Sequence, residues 1–161
     1  MDEQRAGVDW RRLDPGLEIV DAGLVDPRGF WERSRRGRAM PGRADFTLEN
    51  LWGHLGWVIL LDVETAPRRF RFRLIGSGIA AVLSRDSTGR YLDELFAPAI
   101  REEAMRPYSH VVEHRRPVRS VGRTVHADKG HIPYEALYLP YSDSGNRVDL
   151  ILERVRYQGI A

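Results

Sequence analysis

No cysteine occurs anywhere in the 161 residues. Disulfides, thiolate metal sites, cysteine nucleophiles and every chromophore that works through a cysteine adduct are therefore excluded by composition. Lysine is almost as scarce, with Lys129 standing alone against 24 arginines. Guanidinium groups hold their charge to high pH, so a sequence pI of 9.2 accompanies a formal net charge of only +2. Long apolar runs are missing too. The most apolar stretch, WVILL at 57–61, is far short of the about 20 residues a spanning helix needs. The first twenty residues carry five acids and no apolar segment of the kind that forms a signal-peptide core. These absences predict a cytoplasmic protein.

What is present, 42% hydrophobic and 30% charged residues over this length, reads as one globular domain. A chain of this size builds a core without disulfide or metal staples. Residues 1–25 show no clean period and are expected to form a partly ordered arm, with a single domain over 26–157. Asp26-Pro27 predicts a helix start, Asp as the cap and Pro at the first position. That helix carries Phe30 and Trp31 and ends near Gly37 among Arg33, Arg35, Arg36 and Arg38. A short helix is expected from Thr47, with Leu48, Leu51, Trp52 and Leu55 on one face.

Strands follow at 57–64 and 69–75; in the second, Phe70, Phe72 and Leu74 alternate with Arg71 and Arg73, which predicts one face in the core and arginines in water. Gly76-Ser77-Gly78 opens a short helix as a tight turn, since it lacks the further glycine or lysine of a phosphate loop. Pro98 starts the longest helix, to about Arg115, with Ile100, Ala104, Tyr108, Val111 and Val112 at a 3.6 period and Pro117 beyond its end. Three strands close the chain, 118–126, 132–139 and 147–157, the last two joined through a loop with Gly145. Strands interrupted by one block of helices predict an α+β fold, an antiparallel sheet with helices on one face.

Phe30-Trp31, PGRADFTLENL (41–51), LLDVE followed by FRFRLIGSGI (70–79), DSTGRYLDELF (86–96), the long helix and LYLPYSDSGNRVDLIL (137–152) occur in an order that resembles the PAS domain family, specifically the small stand-alone PAS-like proteins of bacteria. The resemblance covers residues 26–157. It implies a five-stranded antiparallel sheet in the order 2-1-5-4-3, an N-terminal lead-in helix, and a role in sensing, signalling or protein contact rather than catalysis. Fold alone does not set function.

Several motifs invite a chemical reading. His110-Val-Val-Glu113-His114 matches H-x-x-E-H, and its two histidines lie one helical turn apart. A catalytic zinc also needs a third ligand and an open position, and no second signature supplies them, so no metal site is assigned. Under the resemblance, His110 or His114 stands on the helix from which haem-binding members take an axial ligand. A lone histidine there is weak evidence, because haem also needs a large apolar cavity. From Arg28 to Arg43 there are six arginines and one acid, Glu32, a stripe capable of meeting phosphates. A near-neutral chain without a nucleic-acid module argues against DNA or RNA as the main partner.

The leading reading is a non-catalytic PAS-like module, with any small ligand between sheet and helices. Its candidate lining is Phe72, Leu74, Ile79, Tyr108, Val112 and Tyr138, for each of which plain core packing is the competing account. With no output domain attached, its signal is expected to pass to a protein partner. Phe30, Trp31, Arg33, Arg35, Arg36 and Arg38 form the candidate partner surface, with homodimerisation through the two aromatics. The alternatives are a small α+β hydrolase or isomerase using a histidine, and nucleic-acid binding through the arginine stripe. No catalytic residue is assigned.

Overall fold

The most apolar segments of the chain become its central strands. In a computed structural model, which describes residues 11–47, 49, 53–124 and 132–160, VILLDVE forms β2 (Val58–Glu64), PYEALYLPY forms β5 (Pro133–Tyr141) and LILERVRY forms β6 (Leu150–Tyr157). With β3 (Arg69–Ile75), β4 (Val118–Arg123) and β1 (Arg11–Asp14) they make one sheet in the order β1-β4-β5-β6-β2-β3. Every pairing is antiparallel. The five expected strands occupy their expected order. The sheet has a sixth, β1, inside the segment read as an arm. Its four residues, RRLD, carry no usable period, and they are ordered by pairing with the edge of β4.

α2 (Ser77–Leu83), a turn of 3-10 helix at Leu92–Glu94, and α3 (Pro98–His114) belong to the block that covers one sheet face. The register places Tyr138, Glu153 and Ile59 side by side on that face. The lead-in helix α1 (Val25–Ser34) lies against the opposite face, where the Trp31 indole N–H donates to the Pro140 carbonyl at 2.7 Å. α2 and α3 are thus the helices expected on one face, and the lead-in helix, expected apart from them, takes the other. The cap also differs from expectation. Asp21, not Asp26, receives a backbone N–H, from Gly23 at 2.7 Å, and caps a 3-10 turn (Ala22–Leu24) that runs into α1.

Alternation in β3 breaks at a bulge. Leu61 faces Phe72 while Leu60 faces Leu74, so Arg73 is the extra residue. Phe72 stays on the helix-covered face. Leu74 turns to the other one beside Leu60, and Arg73 pairs with Asp62 at 3.0 Å. The arginines do lie outward, as the pattern predicts.

Two local features position the covering helices. A Cβ on Gly76 would sit 2.4 Å from the Gly56 carbonyl oxygen, so the start of α2 approaches the Leu55–Trp57 turn only because glycine stands there. Pro107 lies inside α3. Lacking an N–H, it leaves the Glu103 carbonyl without its helical donor. The Arg11 guanidinium donates to Glu103 O at 3.3 Å and to Ala104 O at 2.8 Å, tying β1 to the helix there.

The short helix expected from Thr47 falls largely on Leu48, Leu51 and Trp52, which lie outside the described residues, as does the expected end of the third strand at His126. Among the described residues, no helix is long and apolar enough to cross a membrane.

Candidate functional site

Strand parity aims one polar residue into the space beneath the helices. Along β6, Ile151, Glu153, Val155 and Tyr157 share a face, and three of the four are apolar or aromatic. Glu153, 6% exposed, is the acid among them. It lines a cavity of about 100 Å³ between the sheet, the α2 end, the Leu92–Glu94 turn and α3. Its apolar wall includes Ile59, Phe72, Ile75, Leu92, Leu95 and Val155. Its charged side chains are Arg11, Arg85, Arg123 and Glu153, and the buried hydroxyls of Ser87 and Thr124 also reach it.

The Glu153 carboxylate accepts from Tyr108 Oη at 2.5 Å. Tyr108 packs edge-on against Tyr138, ring centroids 5.2 Å apart, and Tyr138 Oη lies 3.1 Å from Ser120 Oγ. Arg11 Nε donates to Tyr134 Oη at 2.8 Å. A buried network of tyrosines thus joins a carboxyl group on β6 to an arginine on β1. Burial pushes the Glu153 pKa above its ordinary 4.5; the hydrogen bonds from Tyr108 and Tyr138 and the charge of Arg11 offset this only in part. Burial, and then the charge of Glu153, drive the Tyr108 pKa well above 10.0. Burial disfavours the Arg11 charge, but the surrounding tyrosines outweigh it and its pKa rises.

The sign of the Glu153 effect gives a measurable outcome. A carboxyl whose folded pKa is raised ionises more readily in the unfolded chain. The contribution of Glu153 to wild-type stability therefore falls as pH rises above 4.5, up to the folded pKa. Glu153→Gln removes that dependence, so its stability relative to wild type should climb between pH 4.5 and pH 8 in urea unfolding. A difference that shrinks over this range would show that the carboxylate is held charged.

Of the six residues read as pocket lining, Phe72 and Tyr108 line the cavity. Ile79 and Tyr138 are fully buried in the core, Val112 is partly buried against it, and Leu74 is turned away by the bulge. These four therefore pack the structure instead of facing the space. The signal for Glu153 stood in the sequence as an acid at the inward parity of an otherwise apolar strand. Nothing marked Arg11, because its strand is four residues long and non-periodic.

The candidate partner surface divides. Trp31 is 2% exposed, a core residue and not part of a surface. Half-buried Phe30 and exposed Arg33 border a groove with His54, Leu139 and Tyr141 on the outer sheet face. Arg35 pairs with Glu32 at 2.8 Å and Arg38 with Asp45 at 2.6 Å, while Arg36 is exposed. Arg43 reaches Asp143 at 3.1 Å. These acids, of which only Asp143 is distant in sequence, reduce the positive field the stripe would present.

His110 and His114 stack on each other at 4.0 Å between ring centroids, and neither lines the cavity. The described residues do not fit haem: the candidate axial histidines lie off the cavity, whose volume is far below that of a porphyrin. Among the described residues, no three of His, Asp or Glu come together as a metal-ligand group.

The PAS domain family model matches residues 22–153. No curated protein matches the chain. Among solved structures, the LOV protein of Rhodobacter sphaeroides superposes with a TM-score of 0.51 at 12% identity, over 88% of this chain and 69% of that one. An RNA-binding Light-Oxygen-Voltage receptor gives a TM-score of 0.47 at 13% identity, over 91% of this chain and 38% of that one. At these identities the likeness to the first speaks for the fold alone.

Proposed function

Because this chain belongs to the PAS domain family, we propose that it is a non-catalytic sensory module, binding a small ligand between its sheet and helices and signalling to a protein partner. The observation that carries this reading is the cavity: an apolar wall with a few polar groups converging on it, the ordinary make-up of a ligand site. Its groups support binding better than turnover. The tyrosines are held far from ionisation, Glu153 is engaged by Tyr108, and among the described residues no histidine faces the space. The ion pairing of Arg35, Arg38 and Arg43 speaks against nucleic acid as the main partner.

A route from cavity to surface exists in Arg11. It touches the cavity, the broken turn of α3 and, through β1, the N-terminal segment. A ligand that moves Arg11 would change how β1 sits on β4, and thereby the surface offered to a partner. A homodimer through the lead-in helix is left with Phe30 alone, since Trp31 is in the core.

Native mass spectrometry of the purified full chain tests the reading. The expected result is a small-molecule mass that is lost on denaturation and absent from Leu95→Trp, which fills the cavity. A ligand-free mass together with no cavity-directed shift from a small-molecule library would overturn it.

A further inference from the structure

Resting on the ligand-cavity reading above, we propose that the ligand is a short-chain carboxylate, its hydrocarbon part against Phe72, Ile75 and Leu92 and its anionic end held by Arg85.

Charge selects the class. Three arginines and one carboxyl group line the cavity among the described residues. The carboxyl, Glu153, already accepts from Tyr108, and burial favours its neutral form, so it opposes an incoming anion less than its formal charge suggests. Arg85 is different from the surface arginines. Ser84, in the left-handed region at φ 57°, ends α2 and sets Arg85 at the cavity wall, where it makes no ion pair among the described residues. A planar guanidinium at the rim of an apolar space matches a carboxylate by paired N–H···O bonds. The buried hydroxyls of Ser87 and Thr124 add polar groups to the same wall.

Volume selects the size. A dry cavity of about 150 Å³ holds benzene. By that scale the space here, about 100 Å³, takes a branched acid of about four carbons in all, its carboxylate at the open side. Longer acids would leave their tails in water or displace α2.

Isobutyrate and its neutral near-isostere isobutyramide separate charge from shape. Each is titrated into the isotope-labelled full chain and followed by amide shifts. Isobutyrate should move the amides of Phe72, Leu92 and Val155 and bind at least about tenfold more tightly than isobutyramide. Arg85→Ala, at an exposed position that does not threaten folding, should narrow that ratio several-fold. Equal or tighter binding of isobutyramide in the cavity, or an unaltered ratio in Arg85→Ala, overturns the carboxylate assignment while leaving the cavity reading intact. If neither compound shifts the cavity amides, the assignment fails together with the reading on which it rests.

Discussion

Arg119→Met should lower the unfolding free energy by about 3–5 kcal/mol, the effect expected when one partner of a buried ion cluster is removed. Arg119 is 4% exposed and holds two carboxylates, Asp14 at 2.9 Å and Glu135 at 2.7 Å. Each of those carboxylates also fixes backbone. Asp14 accepts from the N–H groups of Gly16 and Glu18, and Glu135 from those of Val20 and Asp21. Without the guanidinium, two acids face each other with little water to screen them, and the strap from β1 to α1 loses its anchor. Exchange protection of the Val20 and Asp21 amides should fall with it.

The pH dependence follows from the same cluster. Burial raises the Asp14 pKa, but the backbone N–H of Glu18, Arg119 and the N–H of Gly16 outweigh burial and hold it below 3.8. A depressed folded pKa contributes stability above the unfolded value, and that stability is lost as pH falls through the folded value. Wild type should therefore lose stability below about pH 4, and Arg119→Met should lose less over the same range. Urea unfolding at pH 3 and pH 7 measures both effects. A loss under about 1 kcal/mol at pH 7 would mean that water, not Arg119, compensates the two acids.

Trp31→Ala should cost a similar amount, about 3–5 kcal/mol, and the loss should not depend on protein concentration. The indole is buried, and its N–H satisfies the Pro140 carbonyl near the end of β5. Truncation opens a cavity against the outer sheet face and leaves that carbonyl without its donor. Trp31→Phe, which keeps most of the volume and loses the N–H, should cost about 1–2 kcal/mol. Were Trp31 instead at a subunit interface, the alanine variant would keep monomer stability and reduce the sedimenting mass. Unfolding at two concentrations, with sedimentation of the folded protein, tells the two cases apart.

Patterns with a strong period were legible in the chain. Pro98 and the 3.6 spacing from Ile100 to Val112 mark α3, and the apolar runs mark β2, β5 and β6. The quoted motifs carry the family, and composition alone rules out cysteine chemistry. Local patterns suffice there because burial of a face imposes its period on the residues that form it.

Non-local pairing decided the rest. β1 exists because β4 offers an open edge, and Arg11 enters the cavity only once that pairing sets its parity. Leu74 left the cavity face through one extra residue in β3, which a strict period of two does not anticipate. Phe30 and Trp31, adjacent in the chain, parted into a groove and the core because neighbours on a helix point about 100° apart and only one could meet Pro140. Residue types and periods are local properties of the chain. Which side chains meet across the cavity depends on register between strands and helices far apart in sequence, and only the tertiary structure sets it.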